Sequence, residues 1–215
     1  MPDAVAVLNP HRAGCGYPYK ELCGTGVAFK VIEGLIESNE KKFHIWNWKE
    51  GQEKWLLDLV ALATVADMVP LTGENRVLVH YGLMVMRKGR RAGLRTLFEA
   101  LRIPYAQAIE DDLSFSIAPK INAASRMKSP RLALELLTTT DGVRAKELAK
   151  ELVRLNDARK LEGARVAKEV KHRLEGRTLD DVIVLGNSEW KPALLGIAAT
   201  NVVETYNKTV CLWGR

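Results

Sequence analysis

Only three cysteines occur in the chain, Cys15, Cys23 and Cys211, and no two stand in a C-x-x-C spacing. Their odd number argues against a disulfide framework, and they read as reduced thiols. Histidines are as scarce: His11, His44, His80 and His172 are the four, and they form no cluster with the cysteines, which argues against a structural zinc site. Aromatic residues make up 7% of the chain, too few for a surface built on repeated base stacking. No apolar run approaches the roughly 20 residues of a membrane-spanning helix. The opening MPDAVAVLNPH has no basic segment followed by an apolar one, so no export signal and a cytoplasmic location are expected.

What is present suits a globular protein: 47% hydrophobic and 27% charged residues over 215 positions, enough for one large or two small domains. The net charge of +6 favours a polyanionic partner. It concentrates at Arg87, Lys88, Arg90 and Arg91, with Arg95 and Arg102 nearby. That run is either a nucleic-acid contact or a solvated helix end, where cations also suit the macrodipole.

Ala4–Leu8 reads as a buried strand stopped by Asn9-Pro10. Gly24–Leu35 has helical spacing, with Val27, Val31 and Leu35 on one face. Trp55–Val65 reads as a buried helix or strand, and Asn75–Arg87, Leu94–Leu101 and Pro130–Leu137 as helices. Ser114–Ile117 alternates like a strand, and Pro119–Met127 reads as a loop. Asp141 is a candidate N-cap for a long helix striped by Leu148, Leu152, Leu155, Val166, Val170 and Leu174, with Gly176 as its stop. Roughly thirty residues at 1.5 Å each make it about 45 Å long. It is too polar to be buried all round, which suits a bridge between two domains. Asp181–Leu185, Leu194–Tyr206 and Thr209–Trp213 then form a β-α-β unit, the opening of a second α/β domain.

The apolar run Leu56–Leu71 reads as broken by one carboxylate, Asp67, which sits within ALATVADMVPLTGENR, Ala61–Arg76, just before Pro70, Gly73 and Asn75. A charge there needs hydrogen bonds or a metal. It either caps a turn or ligates a metal at the mouth of a core.

ATVADMVPL followed by ENR resembles the fourth motif of the DHH phosphoesterase family, in its RecJ branch. The likeness continues in order along the chain: VLNPHRAGCGYPYKELCGTGVAFKV, then PKINAASRM, ALELLTTTD, LNDARK and SEWKPALLGIAATNVVE. The resemblance implies an α/β chain: the later part of a DHH-type parallel-sheet domain (1–141), a connecting helix (142–176) and the start of a DHHA1-type domain (177–215). It implies metal-dependent phosphodiester hydrolysis with two Mn²⁺ or Mg²⁺ ions, acting 5′-to-3′ on single-stranded DNA ahead of RNA and releasing mononucleotides in repair and recombination. Asp67 matches the family's metal ligand. Arg126, in the loop usually written INAAGR, matches a phosphate contact, with Lys120, Asn122 and Arg131 around it and Arg87, Arg90 and Arg91 as further substrate contacts. Asn75 and Arg76 fix the turn after Asp67. His11 is a surface residue rather than a ligand.

Three departures stand out. The DHH triplet and the aspartate motifs before it are absent from the sequence, Ser125 replaces a glycine, and Lys191-Pro192-Ala193 replaces a His and a Gly. The chain therefore reads as a piece of an enzyme that is inactive alone. The alternatives are a phosphodiesterase for short oligonucleotides or cyclic dinucleotides, and a non-catalytic nucleic-acid-binding scaffold that has lost its metal centre.

Overall fold

The computed structural model describes residues 3–39 and 51–215. Eight α-helices are described: α1 Gly24–Ser38, α2 Leu57–Ala66, α3 Gly73–Met86, α4 Ala92–Ala100, α5 Ala118–Met127, α6 Arg131–Thr138, α7 Gly142–Leu174 and α8 Pro192–Tyr206. Two strands, β1 Val182–Gly186 and β2 Thr209–Trp213, flank α8 and pair in parallel, from Val182 opposite Thr209 to Gly186 opposite Trp213. The α/β character lies in this C-terminal part, and the described elements before it are helices.

Helix α7 is 33 residues long. The Asp141 carboxylate accepts from the N–H groups of Val143 (2.8 Å) and Arg144 (3.3 Å), satisfying two of the first-turn donors. Its first half buries Leu148, Ala149, Leu152 and Leu155 in the main core with Leu97, Phe98, Leu113, Ile117 and Leu136. Its second half buries Val166, Val170 and Leu174 in a separate core with Ile183, Trp190, Leu195 and Val202. Between them, residues 157–165 have no buried member. A third cluster, Leu22, Phe29, Leu57, Val60 and Leu78, fastens α1 to α2 and α3.

Close packing needs glycine at two crossings. A Cβ on Gly82 of α3 would stand 2.3 Å from the Leu57 carbonyl oxygen, and one on Gly93 of α4 would stand 1.7 Å from that of Leu136.

Several sequence expectations are corrected. Ala4–Leu8 forms no strand: no described strand lies beside it to complete a ladder, and Val5 and Leu8 are exposed. Ser114–Ile117 belongs to a π-helical turn, Asp112–Ile117, in which Leu113 and Ile117 are both buried. Their spacing of four is helical, and the apparent alternation came from ignoring Leu113. The loop at Pro119–Met127 is helix α5. Pro119 sits in its first turn, where backbone N–H groups have no intrahelical partner to lose. In α1, Val31 and Leu35 are exposed while Gly26 and Phe29 are buried, so the bulk of Phe29 sets the buried face. His44 lies outside the described residues.

One carboxylate joins α7 to the βαβ unit. Glu169 accepts from the Trp190 indole Nε1 (2.9 Å), from Asn187 Nδ2 (3.0 Å) and from Arg173, which also donates to the Gly186 carbonyl (2.9 Å). Trp190 is wholly buried. Its indole N–H, then Asn187 and Arg173, holds the Glu169 carboxyl below the usual glutamate range. Glu169→Ala strands the indole N–H and lowers stability by about 1–3 kcal/mol in urea unfolding at neutral pH. Because the folded pKa is depressed, the contribution is complete above the unfolded-state value of about 4.3 and fades as pH falls through the folded value. An equal mutational loss at neutral pH and at strongly acidic pH would contradict this linkage.

Candidate functional site

Asp67 is the C-cap of α2, its N–H donating to the Ala63 carbonyl at 2.9 Å. The next residue, Met68, takes φ 55° and turns the chain toward α3. The corner is clamped from outside. The Tyr19 hydroxyl donates to the carbonyls of Thr72 (2.8 Å) and Pro70 (3.3 Å). Asn75 Nδ2 donates to the carbonyls of Pro70 (3.0 Å) and Glu21 (2.7 Å). Tyr17 donates to Glu74 at 2.8 Å, and Lys30 pairs with Glu74 and Glu33. Burial works against the Lys30 charge, but the bonds to Glu33 and Glu74 outweigh it and raise its pKa above the ordinary lysine value. Asn75 thus holds the turn after Asp67. Arg76 does not: it is exposed, and its guanidinium has no hydrogen-bond partner among the described residues.

The Asp67 carboxylate is exposed and accepts no hydrogen bond among the described residues. The turn-capping alternative therefore finds no support in its side chain. A free carboxylate on a rigid corner is available to a cation. It stands alone, however: no group of three or more His, Cys, Asp or Glu able to hold a metal occurs among the described residues. His11 is in an exposed loop, His80 lies edge-on to Tyr81, and His172 is exposed beside Glu175.

A second set of residues gathers where α5, α7 and α8 meet. Arg126, in the last turn of α5, donates from Nη1 to the Ala193 carbonyl in the first turn of α8 (3.0 Å). Glu135, a neighbouring carboxylate, is taken by Arg144 at 2.6 and 3.0 Å and makes no pair with Arg126. Lys120, on the same helix as Arg126, is half-buried. Burial lowers its pKa, the charges of Lys160 and Arg159 add to the lowering, and Asp157 opposes it. Arg159 is anchored by Nε (3.4 Å) and Nη2 (3.1 Å) to Oδ1 of the wholly buried Asn156, whose Nδ2 has no partner. Arg159 and Lys160 were not singled out from the sequence, although LNDARK contains them. Asn122 and Arg131 are exposed, and Asn122 orders no loop. Its carbonyl accepts from Ser125 Oγ (3.0 Å) within α5, where the backbone N–H groups serve the helix instead of a ligand.

The basic run at Arg87–Arg91 is largely structural. Arg87 donates from Nε (2.9 Å) and Nη2 (2.7 Å) to the Ala108 carbonyl. Arg91 grips the buried carboxylate of Asp58 at 2.7 and 3.0 Å and donates to the Leu137 carbonyl at 2.8 Å. Asp58 is a second carboxylate inside the Leu56–Leu71 run that the sequence reading did not single out, and its partner lies 33 positions away. Two of the three expected arginine contacts therefore have their donors engaged, and Arg90 differs, its guanidinium lying 4.0 Å over the Trp55 ring.

No family model matches the chain. It is 34% identical over 215 residues to the single-stranded-DNA-specific exonuclease RecJ of Bacillus subtilis (strain 168), covering 100% of this chain and 26% of the relative. It is 36% identical to the protein of the same name from Dickeya dadantii (strain 3937), covering 98% of this chain and 38% of the relative. A crystal structure of exonuclease RecJ bound to manganese superposes with TM-score 0.77 at 33% identity, over 92% of this chain and 48% of that one. A crystal structure of RecJ in complex with Mg²⁺ from Thermus thermophilus gives 0.75 at 32%, over 93% and 30%. The chain thus spans between about a quarter and two fifths of the length of these curated relatives.

Arg91→Ala leaves the Asp58 carboxylate buried without a counter-charge and lowers stability by about 3–5 kcal/mol. Urea unfolding of the purified chain measures it. A variant as stable as the parent would return Arg91 to the list of free surface cations.

Proposed function

This chain is RecJ-like along its whole length, and from that premise we propose that it serves a 5′-to-3′ single-stranded-DNA exonuclease that releases mononucleotides in repair and recombination in the cytoplasm. The observation carrying this reading is a set of cations on α5 and α7: Arg126 at the contact of α5 with α8, and Lys120, also on α5, near enough to Lys160 and Arg159 of α7 to feel their charges. Arg126 uses one guanidinium nitrogen on Ala193 and keeps its other N–H donors for a phosphate, which suits its planar fork. Lys120 and Lys160, near each other on α5 and α7, add positive charge. The relatives' names favour this reading over an oligonucleotide or cyclic-dinucleotide phosphodiesterase and over a scaffold.

The relatives' structures hold Mn²⁺ or Mg²⁺, and those ions belong to this proposal as the cofactors. The described residues do not fit a two-metal centre by themselves, since Asp67 is the one unpartnered carboxylate at the clamped corner and no further ligand group joins it. No step of hydrolysis is assigned to them.

Labelled single-stranded DNA binds residues 1–215 with a steep salt dependence, and each phosphate contact removed by Lys120→Ala or Lys160→Ala reduces the log–log slope by about 0.7. Salt-independent binding, or duplex bound as tightly as single strand, would sink the reading. With Mn²⁺ the same polypeptide releases no mononucleotides, because one candidate ligand cannot assemble a two-metal site. In a longer RecJ-like enzyme carrying these residues, Asp67→Asn cuts turnover by more than about tenfold with the thermal midpoint unchanged. Turnover equal to the parent would leave Asp67 a turn residue only.

A further inference from the structure

Arg90 is the one arginine in the Arg87–Arg91 run whose guanidinium makes no hydrogen bond or ion pair among the described residues. Its backbone is nonetheless held from both sides. Arg87 is tied to the Ala108 carbonyl, the Gly89 carbonyl accepts from Arg95 (3.2 Å), and Arg91 is tied to Asp58 and Leu137. Gly89 itself adopts φ 63° against Tyr105, where a Cβ would come within 2.6 Å of the ring. The side chain lies 4.0 Å over the indole of Trp55, which remains 40% exposed. The pair borders a cleft of ≈ 540 Å³ whose other walls include Asp58, Arg91, Thr138 and Thr140. The one carboxylate among those walls is neutralised by Arg91, so Arg90 sets the sign of the cleft.

Stacking on an aromatic face leaves the guanidinium N–H groups free in their own plane, pointing outward, and restricts the rotamers that binding would otherwise have to freeze. Planar donors of this kind match a phosphate, and the open part of an indole matches a base. We propose that the Trp55–Arg90 pair is a second contact for single-stranded nucleic acid, Arg90 holding a backbone phosphate and Trp55 the adjacent base. This rests on the reading that the chain handles single strands. Trp55 lies in the 3₁₀ turn Glu53–Leu56 just before α2, and Asp67 caps the other end of that 10-residue helix, so the contact is separated from the Asp67 corner by the length of α2, about 15 Å. It serves to hold strand away from the corner and touches no reacting atom.

The test is titration of a labelled thymidine oligomer into residues 1–215 at two salt concentrations. Arg90→Ala lowers affinity and reduces the log–log salt slope by about 0.7, one phosphate contact. Arg90→Lys restores the slope but only part of the affinity, because an ammonium lacks the planar fork. Trp55→Leu weakens binding about fivefold or more at both salts, in keeping with the loss of one stacked base. On an abasic oligomer that loss disappears, while the Arg90→Ala loss persists. Trp55→Phe, which keeps an aromatic face, gives an intermediate affinity and stands in if the leucine variant does not fold. An Arg90→Ala variant that binds like the parent, while Lys120→Ala binds worse, overturns the second contact and leaves the proposed function standing. A parent chain that binds no single strand at low salt overturns both.

Discussion

Helix α7 has to satisfy two hydrophobic cores with one stripe of side chains. Leu148, Leu152 and Leu155 are committed to the first core, Val166, Val170 and Leu174 to the second. The intervening 157–165 has no buried residue, so its stability rests on helical hydrogen bonding and on surface pairs such as Arg165 with Glu162 at 2.6 Å. An exposed pair of that kind contributes little. The two packed ends therefore fix the bridge. The Glu169 cluster decides how the βαβ unit sits on it, because a wholly buried indole donor has to find an acceptor wherever it lies. The angle where α5, α7 and α8 meet, with Arg126 touching Ala193, is a consequence of that docking.

The arginines divide by burial and partner, and not by position in the basic run. Arg91 is drawn into the interior by Asp58, because a buried carboxylate without a counter-charge costs far more than the side-chain entropy of one arginine. Arg87 closes the chain segment ending at Ala108 with two donors on one carbonyl. What remains for a solvent-borne anion in this run is the Arg90 guanidinium on an indole and the exposed ammonium of Lys88. The charge count of the sequence overstates the charge offered to a ligand there, whereas around Lys120 the charges of Lys160 and Arg159 act together against the opposing Asp157.

Much of the architecture was legible where local chemistry decides it. The Asp141 cap, the 3.6-residue stripe of α7 and the β-branched runs of β1 and β2 each state their own structure. The errors fall where distant contacts decide. Pro119–Met127 looked like a loop because Pro119 and Asn122 are weak helix formers, and the burial of Ala123 and Ala124 against neighbouring elements overrides that. The roles of Arg87 and Arg91 depend on acceptors 21, 33 and 46 positions away, a separation that no local pattern encodes. Asp67 was legible as an anomaly and Asn75 as its neighbour, but the clamp from Tyr19 comes from 53 positions upstream of Thr72.

That clamp bears on what the Asp67 corner is for. A turn of ordinary structural purpose is held by its own side chains, as Asx and capping turns are. Here the carboxylate takes no part in holding its turn. The work falls to Tyr19 and to a buried Asn75 that leaves its own Oδ1 without a partner. An unsatisfied buried amide oxygen costs about 1–3 kcal/mol, and a left-handed Met68 adds strain of similar order. Neither cost is recovered by any bond that the Asp67 side chain makes among the described residues. Local strain and an unpaired acceptor around an exposed carboxylate suit the proposal that Asp67 is a ligand position, since a side chain already engaged by its own turn would have to be released before it could bind anything else.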